Sequence, residues 1–171
     1  EGRYKFKFSE EIYFFDRNNR VNSYISICAI LKEYDNDQIY KMINSIIKKT
    51  NFNLDINPDN IYLSRDDIKN SSYLVTFGGH SLYHENLIYL NNKNLKNTIS
   101  KSIDYVEELT SSKIKTFAYP YGSYNKNIIE LLNQNILCDY AFTTKQDSRK
   151  SDFEIGRLNL NITPYYVFHV E

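Results

Sequence analysis

His80 and His84, two of the three histidines in the chain, stand four residues apart in Gly78-Gly79-His80-Ser81-Leu82-Tyr83-His84. Neutral imidazole is a good ligand for zinc, bound at about 2.0 to 2.1 Å, and a catalytic zinc keeps one position open for water. If the segment turns helical after Gly79, side chains at i and i+4 share a face and both rings converge on one cation. Two ordinary surface histidines at a strand-to-helix corner satisfy the same spacing. A second chemically suggestive segment is Tyr119-Pro120-Tyr121-Gly122, which follows an apolar run. Proline and glycine there fix a tight turn, with Tyr119 and Tyr121 as packing or binding residues.

These loops need elements to hold them. Tyr4 to Phe8 and Ile12 to Phe15 partly alternate and predict a hairpin or short strands. Ile25, Cys28, Ala29 and Leu31, then Ile39, Met42, Ile43, Ile46 and Ile47, recur at three and four residues, predicting two helices broken near Asp35-Asn36-Asp37. Ser64 is a plausible N-cap with Asp66 and Asp67 in the first turn, so Ser64 to Asn70 predicts a short helix. Tyr73 to Phe77 reads as a strand, and Asn94 to Leu109 as an amphipathic helix with Leu95, Ile99, Ile103, Val106 and Leu109 on one face. Lys113 to Tyr119, Tyr140 to Thr144 and Ile155 to Leu160 read as further strands, with a helix over Asn125 to Asn133. The strand, helix, strand, helix, strand order predicts an α/β fold with parallel strands, in which function collects where strands end.

At 171 residues the chain is the size of one domain. Its 21 basic and 21 acidic residues cancel, so no global field draws in nucleic acid or an anionic membrane. No apolar run is long enough to span a bilayer, and the chain reads as soluble. The opening Glu1-Gly2-Arg3-Tyr4 has neither an initiator Met nor a signal-peptide pattern, which raises the expectation of an excised piece. Cys28 and Cys138 form no C-x-x-C; each is a small core residue, or the two bridge.

Three segments in order carry a resemblance: Leu63-Ser64-Arg65-Asp66-Asp67-Ile68, then Gly79-His80-Ser81-Leu82-Tyr83-His84-Glu85-Asn86-Leu87, then Phe117-Ala118-Tyr119-Pro120-Tyr121-Gly122-Ser123-Tyr124-Asn125. Together they resemble successive landmarks of the polysaccharide deacetylases, carbohydrate esterase family four. Ala141-Phe142-Thr143-Thr144 and Gly156-Arg157-Leu158-Asn159-Leu160 are similar to that family's closing strands. The resemblance implies a partial or distorted (β/α) barrel. It also implies Zn2+, or another divalent metal, held by His80 and His84, with Ser81 hydrogen-bonding to hold the loop. The third segment is similar to the motif in which the backbone N–H after the proline helps hold an oxyanion, a role that falls to Tyr121 beside Pro120. Tyr119, Tyr121 and Arg157 are the implied substrate-binding residues, though Arg157 equally suits an ion pair with Asp152 or Glu154. The implied substrate is an acetylated polysaccharide or sugar of a bacterial surface.

The family's first motif, a strand ending in paired aspartates, has no counterpart. Asp16 lacks an adjacent acid, and Asp66-Asp67 begins a helix, where solvated carboxylates are expected. Residues 1–60 resemble an insertion of strand and helix, and 61–171 the barrel portion of a single domain, so the first barrel strands are expected to be missing. His169 is the one late histidine available as a general acid, although its place beside the end of the sequence reads first as an ordinary surface position. A chain without the acid pair also suits a noncatalytic carbohydrate-binding or scaffold domain that keeps the fold.

Overall fold

The computed structural model describes residues 4–8, 11–15, 18–50, 62–134, 137–146 and 149–157. The segment 51–60, Asp16, His169 and the last three residues of the expected strand Ile155 to Leu160 lie outside them. Strand β1 (Tyr4–Phe8) pairs antiparallel with β2 (Glu11–Phe15), from Tyr4 opposite Phe15 to Phe8 opposite Glu11, as the alternation predicts. Two helices follow, α1 (Arg20–Leu31) and α2 (Asn36–Thr50). They break where expected, because the side chain of Asp35 accepts from the Gln38 amide at 2.9 Å while the Asp35 amide donates to the Gln38 side chain at 3.2 Å. That reciprocal pair satisfies the free N–H groups that begin a helix.

Helix α3 (Arg65–Ser71) starts at the predicted cap. Ser64 accepts from the Asp67 amide at 3.1 Å and its own amide donates to the Asp67 carboxylate at 2.9 Å. The Ser64 hydroxyl, which donates to the same carboxylate at 2.7 Å, and then the Ser64 amide hold the Asp67 carboxyl below its usual range. Helix α4 (Asn92–Thr110) begins two residues earlier than the periodicity indicates, since the Asn91 side chain accepts from the Asn94 amide at 2.9 Å. Its face of Leu95, Ile99 and Ile103 is buried, as that spacing requires.

The core of this region is a small parallel sheet. Strand β3 (Thr116–Ala118) lies parallel to β4 (Tyr140–Phe142), Phe117 opposite Ala141, with α5 (Lys126–Gln134) as the crossover. Single parallel bridges extend it on both sides, Gly79 to Phe117 and Phe142 to Ile155. The parallel order therefore stands, with the outer positions among the described residues made by single bridges at Gly79 and Ile155. Tyr73 to Phe77 is the clearest departure. The amides of Leu74 and Val75 both donate to the Ser71 carbonyl, at 2.9 and 3.1 Å, so the segment curls off the end of α3 and leaves Tyr73 82% exposed.

Phe117 and Tyr119 point inward against Leu95, Ile99 and Ile103 from α4 and Ile128 and Leu132 from α5. Gly79 allows this approach: a Cβ there would meet Ile103 Cγ1 and Phe117 Cδ2 at 2.9 Å. Among the described residues no helix is long and apolar enough to cross a membrane. Both cysteines are free. Cys138 lies in the core, where burial, with Asp139 nearby, pushes its thiol up to about 12, whereas Cys28 is half-buried on α1. Because the thiolate is the nucleophile, iodoacetamide at pH 8 is expected to label one thiol of the native protein, at Cys28, and a second only after unfolding. Mass spectrometry of the labelled peptides checks this, and native labelling of Cys138 would contradict the core placement.

Candidate metal and substrate site

His80 and His84 come together without a helix. The segment Ser81–Asn86 is a loop in which Ser81 and His84 take left-handed backbone angles, φ 61° and 58°. Those two reversals replace the helical turn and bring the ring centroids within 4.7 Å, edge to face at 74°.

The sheet positions His80 directly. The Gly79 amide donates to the Thr116 carbonyl at 2.9 Å, and the Ala118 amide donates back to the Gly79 carbonyl at 2.8 Å. One residue on, His80 Nδ1 lies 2.7 Å from the Ala118 carbonyl. A carbonyl only accepts, so Nδ1 carries a proton, and in the neutral imidazole this leaves the lone pair on Nε2. A metal-ligating histidine characteristically has such a carbonyl behind it.

His84 is placed by the loop and by α4. Thr98 Oγ1 accepts from the Leu82 amide at 3.1 Å and donates to Glu85 Oε1 at 2.9 Å, while Glu85 Oε2 accepts from the Tyr83 amide at 3.0 Å. Desolvation and the neighbouring His80 hold the His84 imidazolium below its ordinary range. The neutral form thus favoured is the one that binds a cation. Ser81 does not hold the loop as expected: its hydroxyl is enclosed with no hydrogen-bond partner among the described residues. Thr98 and Glu85 take that role. A pair thirteen residues apart across a loop has no periodic signature, so the sequence offered no signal for it.

The proline turn faces the two rings. Tyr121 takes a left-handed conformation at φ 58° and sets its ring edge-on to His84, centroids 4.5 Å apart. Gly122 follows at φ 68°, and a Cβ there would collide with Thr144 Oγ1 and meet the Thr144 amide nitrogen at 2.8 Å. The turn closes with the Gly122 amide donating to the Tyr119 carbonyl at 2.9 Å and the Ser123 amide to the Pro120 carbonyl at 3.1 Å. The Tyr121 N–H is not among these closing bonds. Pro120 itself is buried and fixes the turn.

Two expected substrate residues are placed elsewhere. Tyr119 is 0% exposed, stacks on Tyr124, and donates its hydroxyl to the Phe153 carbonyl at 2.9 Å. It lies just beyond β3, two residues after Phe117, and packs with it in the core. Arg157 forms no ion pair with Asp152, which pairs with Arg149 at 2.9 Å. Its Nε donates to the Thr143 carbonyl at 3.1 Å, and Thr143 Oγ1 donates to the Gly122 carbonyl at 3.2 Å, so Arg157 braces the back of the turn.

A cavity of about 570 Å³ opens beside His84, walled by Tyr83 and Tyr121 on one side and by α1 and the start of α2 on the other. Among the described residues no three His, Cys, Asp or Glu side chains converge as a metal cage. The two imidazoles therefore fit part of a zinc donor set.

The sequence matches the family model for polysaccharide deacetylase over residues 12–137. The chain belongs to the polysaccharide deacetylase family. The Streptococcus pyogenes deacetylase PplD in complex with acetate is similar to this chain in fold, with a TM-score of 0.53 and 18% identity over 60% of this chain and 47% of that one. A Bacillus cereus polysaccharide deacetylase matches with a TM-score of 0.49 and 19% identity over 56% of this chain and 32% of that one. The chain thus spans less than half the length of either structure. No curated protein matches it.

Proposed function

We propose that this chain carries the metal-holding and oxyanion-facing parts of a carbohydrate deacetylase that hydrolyses acetyl groups from a polysaccharide of the bacterial cell envelope. The observation that supports this most is the His80 ring, fixed through Nδ1 on the Ala118 carbonyl and facing His84. In this proposal His80 offers Nε2 and His84 its neutral imidazole to Zn2+ or another divalent ion, and a carboxylate from outside the described residues completes the set. When bound, the metal supplies Lewis acidity to the acetyl carbonyl and to the attacking water. Tyr121 presents its backbone N–H to the negative charge developing on the acetyl oxygen. Pro120 fixes the angle of that donor, and the rings of Tyr121 and Tyr83 offer flat surfaces to the sugar. Water adds, the C–N or C–O bond breaks, and acetate leaves with the free amine or alcohol. The four parallel positions from Gly79 to Ile155 are taken as one arc of a (β/α) barrel.

A noncatalytic carbohydrate-binding domain is the second proposal, favoured by the lack of a third metal-binding side chain among the described residues. Acetate release from acetylated oligosaccharides, measured with and without added zinc, separates the two. Zinc-dependent release that a chelator removes supports the enzyme. Sugar binding by zinc-loaded protein without acetate release supports the binding domain.

A further inference from the structure

The α1 side of the cavity carries a cation that the proposed chemistry does not use. Lys32 caps the C-terminal end of α1, and its Nζ lies 4.7 Å from the centre of the Tyr121 ring, the ring that also meets His84 edge-on. Cations suit helix C-termini, which accounts for a lysine at that position but not for its reach across the cavity to a residue of the proline turn. Contact with a ring face holds an ammonium in place without neutralising it. Glu85, the carboxylate that lines the same cavity, is held by the Tyr83 amide and Thr98 and forms no ion pair with Lys32. Among the described residues Lys32 makes no ion pair. The ring contact by itself stabilises only weakly at an exposed site, and it leaves the full charge of the ammonium directed at the cavity mouth, where an anion would meet it.

We propose that Lys32 recognises an anionic substituent on the carbohydrate, so that the cavity selects acidic over neutral acetylated chains. The inference rests on the carbohydrate site proposed above and deepens it by naming the substrate class. Tyr24, Tyr34, Tyr83 and Tyr121 line the same cavity and offer ring faces to the sugar, while Lys32 supplies a charge that ring contacts lack. A carboxylate, as in a uronic acid, and a phosphate both satisfy an ammonium.

Calorimetric titration of the full chain with three size-matched acetylated oligosaccharides, one neutral, one bearing uronate and one bearing phosphate, tests this. An anionic oligosaccharide is expected to bind about tenfold more tightly than the neutral one at low salt, a gap that closes as salt rises. The arm that binds more tightly identifies the anion. Lys32→Ala is expected to abolish the preference and Lys32→Arg to retain it, with a thermal melt of each variant checking that the fold is intact. Equal affinity for neutral and acidic chains, or a preference that survives Lys32→Ala, overturns the assignment of Lys32 alone. Binding of none of the three overturns the carbohydrate site itself.

Discussion

Replacing either His80 or His84 by alanine is expected to weaken zinc binding by roughly 100-fold. A complete four-ligand zinc site in a small peptide is worth about 10 to 16 kcal/mol, on the order of 3 kcal/mol per ligand, and each 1.4 kcal/mol is a factor of ten. Competition with a chromophoric chelator gives the affinity directly, and elemental analysis gives the stoichiometry, expected at one ion per chain. The two variants should also differ in kind. His80 is braced by the Ala118 carbonyl, so His80→Ala leaves that acceptor without its partner at the end of β3. His84 stands on a loop held by Thr98 and Glu85, bonds that its own side chain does not make. His84→Ala should therefore leave the melting temperature close to that of the parent, while His80→Ala lowers it slightly. Unchanged zinc affinity in both variants would remove the metal from the proposal.

Phe117→Ala is expected to cost about 3 to 5 kcal/mol, the range for deleting a fully buried aromatic side chain. Phe117 is 0% exposed at the middle of β3, bridged to Gly79 on one side and paired with Ala141 on the other, with its ring against Tyr119. Against a total of about 5 to 15 kcal/mol for an ordinary domain, this is a large fraction of the stability. Urea unfolding followed by circular dichroism measures it, with Lys115→Ala as a neighbouring surface control expected within about 0.5 kcal/mol. The effect should reach the site. Both the Gly79 bridge and the Ala118 carbonyl that orients His80 rest on this strand, so zinc affinity should fall in Phe117→Ala although the residue touches no ligand. A loss below about 1 kcal/mol would show that β3 does not carry the core.

How much of this was legible depended on whether the signal was local. The start of α3 at Ser64 could be read because a capping residue and an acid three positions on satisfy each other within one turn. The buried face of α4 could be read because four-residue spacing maps onto one side of a helix. The histidine pair stood out by residue type, but the loop that brings the rings together did not: left-handed angles at Ser81 and His84 have no mark in a sequence that places neither glycine nor asparagine there. The packing reading of Tyr119 had a signal behind it, since residues two apart on an extended chain face the same way and Phe117 is plainly a core residue. The segment from Tyr73 to Phe77 has strand composition, but its amides close a turn on Ser71, and composition cannot anticipate that competition. The braces at Thr98 and Glu85, and the meeting of Lys32 with Tyr121, join residues from separate elements and become visible only once the chain has folded.

Among the described residues, three of the four non-glycine positions with positive φ, Ser81, His84 and Tyr121, lie in the two loops that face each other across the proposed site. Each such conformation stores on the order of 1 to 3 kcal/mol of strain. The rest of the domain must carry that load, so the rings owe their fixed orientation to a fold held below its attainable thermal robustness. Selection for heat resistance alone would relax these positions toward glycine or asparagine, and the molecule would become hardier as its imidazoles and proline turn lost their alignment.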